Sequence, residues 1–482
     1  MTALAAAAVW LQPVLLATLA LRVAAGDADA PWLALGALIA PLVALVAPPR
    51  RASGSNPVAA AATAAAVTLV LAADFMVAAD AATLLGAAPW LGVALAAALS
   101  LLVPLLPGAR RVSAPALAIA AGALLLPLVS VALTTGTAPW TAWSRGGLRP
   151  SLTFPETSGW VRDGERFARP ARLTFAEGQR VTTLTAGVYR VVERDAAEPT
   201  VREWRLAAGE TLTLRPGDEL SVEAGARLRF EAGRRVPGAP ASGIAWADAP
   251  ARSPSMLPAA FGALATLVGG ALALVPAPRR GPPAAAGPLV LLAATAAAVG
   301  WGVYAAATAP DLALGGSLLA PILSLPLRAL GPRTGAPLAV LALVALVALL
   351  LTAVVALRAR LAAAAGSAPT RWAAAVSLAA ALTAAPLDPW RVLALGLGVA
   401  AAAGTPSLVA GGRAVGLVGS IVGVAVFVAL AAMPSVDPAM GSWLEPLARY
   451  PALVAMPLGW AAARALSAMT GRGDATQSIV RK

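Results

Sequence analysis

Three carboxylates stand where they could do chemistry. Asp74 lies inside an apolar run, in Ala72-Ala73-Asp74-Phe75-Met76. An ionisable group within a membrane span is costly, which makes it a functional candidate by default, and proton- or sodium-coupled carriers need such a carboxylate. No partner deep in another run is legible for it. It also falls within two turns of the run's outer end, so the competing reading is a side chain facing water. Asp27 and Asp29 form an Asp-x-Asp pair, which could hold a divalent metal or supply a base. Their loop is about six residues long and leaves little room for a donor substrate. Marking the translocated side of a membrane and the end of a helix is the plainer role, since so short a motif arises readily by chance.

Most other chemistry is excluded by residue type. Cysteine and histidine are absent, so there are no disulfides, thiolate nucleophiles, Ser–His relays or His-ligated metals. Of 36 basic residues only Lys482 is lysine. Neither a P-loop nor a Gly-x-Ser-x-Gly element occurs. No catalytic residue, cofactor or metal site is expected.

The elements that must position these groups are mainly membrane helices. The 482-residue chain is 59% hydrophobic and 12% charged, where soluble domains carry about 25% charge. Runs of about 20 apolar residues read as spans. Five fall at 3–24, 32–47, 57–79, 86–106 and 114–135, and about seven at 256–276, 285–308, 336–357, 371–387, 390–411, 414–433 and 447–468. The first run lacks a basic leader and is read as a retained helix rather than a cleaved signal. The segment 315–330 holds Pro321, Pro326 and Arg328 and is read as re-entrant or interface-lying. Gly412, Gly416, Gly419 and Gly423 follow a small-xxx-small spacing, the signature of close helix packing, within the bundle or toward a partner subunit.

The net charge of +13 is spread through short loops between runs, which fits membrane orientation and not nucleic-acid binding. Arg50-Arg51, Arg110-Arg111, Arg279-Arg280, Arg358 with Arg360 and Arg371, and Arg413 alternate with Asp27 and Asp29, Asp80, Asp311, Asp388, and Asp437 with Glu445. The positive-inside rule then places both termini in the cytoplasm. Trp32, Trp90, Trp140, Trp143, Trp390 and Trp443 fall at the outer ends of runs, as interface anchors or as packing aromatics. The expected fold class is an α-helical polytopic membrane protein of about twelve spans in the inner (cytoplasmic) membrane. Its divisions are a five-span block at 1–136, an extracytoplasmic β-rich domain at 137–253, a seven-span block at 254–470 and a cytoplasmic tail at 471–482.

The inserted domain shows its strands openly. Gly209, Gly217, Gly225 and Gly233 recur every eight residues, and between them lie Leu212/Leu214, Leu220/Val222 and Leu228/Phe230. Residues two apart face one side of a strand, and glycine supplies the positive φ of tight turns. A small sandwich or barrel is expected. The run Gly209-Glu210, Pro216-Gly217-Asp218, Ala224-Gly225 resembles the strand–turn–strand core of cupin-type β-barrels over about 20 residues. That likeness implies a barrel-like shape only, because the histidines that carry cupin metals are absent. The arginines at 162, 166, 169, 172, 234 and 235 could form an anion or lipid-headgroup surface, but opposite charges are interspersed as on an ordinary solvated face.

With catalytic side chains missing, the leading functional expectation is a non-enzymatic membrane component. It would present the β domain as scaffold, assembly or sensor subunit of an envelope complex. Its partners would be the lipid bilayer and proteins met through the β domain or the small-residue helix faces. A transporter or channel with the β domain as cap is the alternative. A membrane glycosyl- or lipid-transferase is the third, since polytopic lipid-linked glycosyltransferases look similar in placing acidic residues in their first outer loop.

Overall fold

The computed structural model describes residues 3–25, 30–46, 56–105, 109–136, 138, 171–175, 177–193, 200–223, 226–231, 256–275, 286–309, 312, 317–365, 388–406, 413–432, 447 and 450–480. The helices, in chain order, are α1 (Ala3–Trp10), α2 (Pro13–Ala25), α3 (Ala30–Val46), α4 (Pro57–Leu84), α5 (Pro89–Leu102), α6 (Ala109–Thr135), α7 (Met256–Leu274), α8 (Ala286–Thr308), α9 (Ala320–Ala365), α10 (Pro389–Gly404), α11 (Arg413–Ala431) and α12 (Ala452–Val480). Four of them, α2, α4, α5 and α10, begin on proline, whose fixed φ suits the first helical position and whose missing N–H costs nothing there.

Among the described residues six helices are long and apolar enough to cross a membrane: Pro57–Leu84, Pro115–Thr135, Gly287–Thr308, Ala320–Ala362, Ala414–Ala431 and Ala452–Met469. Five more are apolar but only 10–17 residues long. Six of the about twelve expected spans thus correspond to full-length apolar helices among the described residues. The first run is broken at Leu11-Gln12 into α1 and α2, because Pro13 has no N–H to continue the ladder. The run at 371–387 lies outside the described residues. The expected tail is partly helix, since α12 continues through 471–480.

The proline-rich segment and the run after it form one kinked element. Gly331 has φ 73° and ψ 172°, a conformation open essentially to glycine alone. A β-carbon on Gly335 would stand 2.3 Å from the Pro326 carbonyl oxygen. In a straight helix those residues would be about 13 Å apart, so the chain doubles back into a hairpin. Its first arm, from Leu318 to Pro326, is buried. It is thus a short internal arm and does not lie on the interface.

The main apolar cluster draws from both helical blocks, joining Val14, Leu71 and Leu124 with Leu267, Leu325 and Leu397. The β insertion therefore interrupts a single packed bundle in sequence only. Within it α9 packs on α6, α10 on α4, α7 on α3 and α10, α8 on α2, and α11 on α12.

Among the described residues seven strands follow α6: β1 (Ala171–Thr174), β2 (Gln179–Thr183), β3 (Gly187–Glu193), β4 (Thr200–Leu206), β5 (Thr211–Leu214), β6 (Glu219–Val222) and β7 (Leu228–Phe230). They make two antiparallel sheets, β1-β6-β3-β4 and β5-β2-β7. Leu212, Leu214, Leu220, Val222, Leu228 and Phe230 are all buried in one core with Val181, Tyr189 and Val191, the arrangement of a small sandwich. Gly209 and Gly217 take φ of 94° and 91°. Asp218 Oδ2 accepts the Arg215 N–H at 2.7 Å and closes the Pro216-Gly217 turn. Gly225 and Gly233 lie outside the described residues.

Candidate functional site

Asp74 is 1% exposed, so it does not face water as its place near the run's end allowed. Its partner comes from the broken first run. Pro13 occupies the first position of α2 and leaves the next N–H, on Val14, without an intrahelical acceptor. Asp74 Oδ1 takes that hydrogen bond at 3.1 Å. A carboxylate at a helix start also meets the positive end of the helix dipole. Oδ2 of the same carboxylate is buried and has no hydrogen-bond partner among the described residues.

Gln12 sits in the break and is 3% exposed. Its Nε2 donates to Val9 O at 2.7 Å, the carbonyl that Pro13 cannot serve. Its Oε1 is buried without a partner among the described residues. The Gln12 N–H turns to Trp10 O and the Leu15 N–H to Gln12 O. Ala8 and Leu11 thereby lose the N–H that a continuous helix would bring to their carbonyls. Trp10 Nε1 donates to Ala37 O at 2.8 Å and anchors the end of α1 on α3. The break thus gathers oxygen atoms, two of them on buried side chains with spare acceptor capacity.

Asp80, expected as a loop charge, belongs to the last turns of α4. Its Oδ2 accepts from Ser317 Oγ at 2.9 Å and from the Leu319 N–H at 3.0 Å, at the start of the hairpin arm. One helix therefore supplies carboxylates to the starts of two others. Asp388 caps α10 through the Trp390 N–H at 3.2 Å and lies 3.9 Å from Arg22. The Arg22 guanidinium also stands 5.8 Å from the centre of the Trp390 ring. Trp390 is 3% exposed, which corrects its reading as an interface anchor: the ring packs against a cation inside the protein. Trp32 and Trp90 are exposed, and Trp140, Trp143 and Trp443 lie outside the described residues.

The arginines at 358 and 360, expected in a loop, are inside α9. They donate to carbonyl oxygens of neighbouring elements, Arg358 to Ser100 at 3.3 Å and Arg360 to Ala273 at 2.8 Å. Neither interaction could be read from spacing.

Asp27, Asp29 and Gly412 lie outside the described residues. Gly416, Gly419 and Gly423 are buried on α11. A β-carbon on Gly419 would meet Gly459 O at 2.8 Å, and one on Gly423 would meet Ala402 O at 2.3 Å. Those two glycines are used against the protein's own helices. In the β domain three described arginines pair with acids: Arg190 with Glu203, Arg180 with Glu231 and Arg202 with Glu193. Those at 162, 166, 169, 234 and 235, and the side chain of 172, lie outside the described residues.

A groove of about 480 Å³ runs between α3 and α8, lined by Pro31, Leu35, Leu38, Leu292, Val299 and Tyr304 among others. It is apolar and stands apart from the break. Among the described residues no three His, Cys, Asp or Glu side chains cluster as metal ligands. No family model matches the chain, and no curated protein or solved structure matches it.

Proposed function

We propose that this chain is a non-enzymatic integral membrane component that presents its β domain to protein partners. It would act as scaffold, assembly or sensor subunit of an envelope complex. The observation that carries this reading is β4. It ends the sheet β1-β6-β3-β4, and among the described residues no strand pairs with its outer side. It is exposed almost throughout, with Val201 at 57% and Trp204 at 41%. A long exposed edge is a ready template for a partner strand, with main-chain bonds giving affinity and side chains giving choice.

The finer topology belongs to the same proposal. The chain would cross the cytoplasmic membrane about twelve times with both termini inside and residues 137–253 outside. The alternation of arginine and aspartate loops supports it. Purification in mild detergent, followed by mass spectrometry of associated chains, tests the function. A stable partner lost on Trp204→Ala supports it. A lone monomer from native membranes sinks it.

A second reading, a cation-coupled transporter or channel with the β domain as cap, is favoured by the buried carboxylate at a broken helix. Discontinuous helices of this kind commonly line substrate and ion sites. Solute flux in liposomes that disappears in Asp74→Asn would support it. The transferase reading rests on Asp27 and Asp29 alone, and nothing further favours it.

A further inference from the structure

We propose that the break between α1 and α2 is a binding site for one alkali-metal cation, held by Asp74 Oδ2 and Gln12 Oε1. The inference deepens the second reading above by naming its ligand, and it rests on that reading for the site but not for any transport.

Asp74 is fixed through Oδ1 on the Val14 N–H, and Gln12 through Nε2 on the Val9 carbonyl. Each side chain is thus anchored on the backbone of the break by one atom, and its second polar atom is buried and unpaired among the described residues. Both remaining atoms are oxygens. A buried acceptor without a partner is costly, and a buried carboxylate without a counter-charge far more so. A cation between them satisfies both. A proton on Asp74 Oδ2 shared with Gln12 Oε1 would also satisfy both oxygens, and carbodiimide labelling distinguishes it from a cation.

Charge selects the kind of ion. There is no lysine or arginine in α4 or in the chain from Ala3 to Leu21. Arg22 is eight residues beyond Val14, about 12 Å along the helix, and is engaged with Asp388 and Trp390. When ionised, Asp74 therefore has no cation on its own helix or on the break to balance it. One monovalent cation neutralises it, whereas a divalent ion would leave a net positive charge in the same place. Oxygen-only donors suit a hard cation. The end of α1 adds the negative pole of a half-helix and the carbonyls of Ala8 and Leu11, freed of their helical N–H partners.

The test uses the full-length protein in lipid nanodiscs. Binding of radioactive sodium is measured by equilibrium dialysis, and thermal unfolding is followed in sodium chloride against choline chloride at equal ionic strength. One saturable sodium per chain is expected, with a sodium-specific rise in unfolding temperature. Asp74→Asn and, separately, Gln12→Leu are expected to weaken binding at least about tenfold, the loss of one good contact. Lithium and potassium in competition rank the site by ion size. No saturable sodium binding by the wild-type protein overturns the proposal, and this result needs no variant to fold. Labelling of Asp74 by an apolar carbodiimide that sodium does not suppress also overturns it, since the carboxyl then carries a proton instead. Sodium binding without flux in liposomes keeps the site and removes the transporter reading. Flux without binding does the reverse.

Discussion

Val14 gives its backbone N–H to Asp74 Oδ1 across 3.1 Å. Six residues further along the same helix, Asp80 accepts the N–H of Leu319. Two aspartates of α4 thus begin two other helices, and their removal should be felt as lost caps. Asp74→Ala leaves the Val14 N–H orphaned in an apolar surrounding. It is expected to destabilise the bundle by about 1–3 kcal/mol. Asp74→Asn keeps an acceptor oxygen and is expected to cost clearly less. Denaturant unfolding in mixed micelles compares the two. Equal losses would show that the hydrogen bond to Val14 contributes nothing.

The hairpin in α9 predicts unequal costs for two glycines. A β-carbon at Gly335 would collide with the Pro326 carbonyl, which is backbone and cannot swing away. Gly335→Ala should therefore separate the arms and lower the unfolding temperature markedly. Nothing lies within 4 Å of the corresponding position at Gly331, so Gly331→Ala meets only the penalty of its positive φ. That penalty is about 1–3 kcal/mol. Heavier damage at 331 than at 335 would contradict the folded-back geometry.

Asn56 caps α4 through the N–H groups of Val58 and Ala59, and its Nδ2 donates to Ser420 Oγ at 3.0 Å. Ser420 Oγ lies in turn 2.6 Å from Ala403 O. One hydroxyl in the middle of α11 thus ties the start of α4 to the end of α10. Ser420→Ala is expected to cost about 1–3 kcal/mol by leaving the Asn56 amide unsatisfied. The Asn56→Ala, Ser420→Ala double variant should cost less than the sum of the two singles. Simple additivity in this cycle would deny the coupling.

Within the β domain, burial and exposure separate stability from recognition. Leu220→Ala empties the shared core of both sheets and is expected to cost about 2–5 kcal/mol. Trp204→Ala lies on the exposed edge and is expected within about 0.5 kcal/mol of wild type. Limited proteolysis of the intact protein reads both. If Trp204→Ala proved as damaging as Leu220→Ala, β4 would belong to the core.

The absence of cysteine makes orientation directly measurable. A single cysteine at Thr213, exposed on β5, is expected to react with an impermeant maleimide in intact spheroplasts. One at Ser53, beside Arg50-Arg51, is expected to react only after the membrane is opened. The opposite pattern would invert the proposed topology.

The strands of the β domain and the apolar runs of the bundle were legible in the sequence because both follow from local periodicity. Leu212 with Leu214, Leu220 with Val222 and Leu228 with Phe230 each had to share a face, and each pair is buried. The apolar runs had to be helices in lipid, where the backbone must satisfy itself. Asp74 could be singled out as an odd charge in such a run, and Pro13 could mark a helix start. What they do to each other could not be read, because Val14 and Asp74 are 60 residues apart and meet only when α2 packs beside α4. The same holds for Asp80 with Leu319, Arg22 with Trp390, and Gly335 with Pro326. An apolar run specifies a helix but not the neighbour that completes its polar ends. Packing chose those neighbours, and so turned a charge expected at the water's edge into a buried carboxylate at a broken helix.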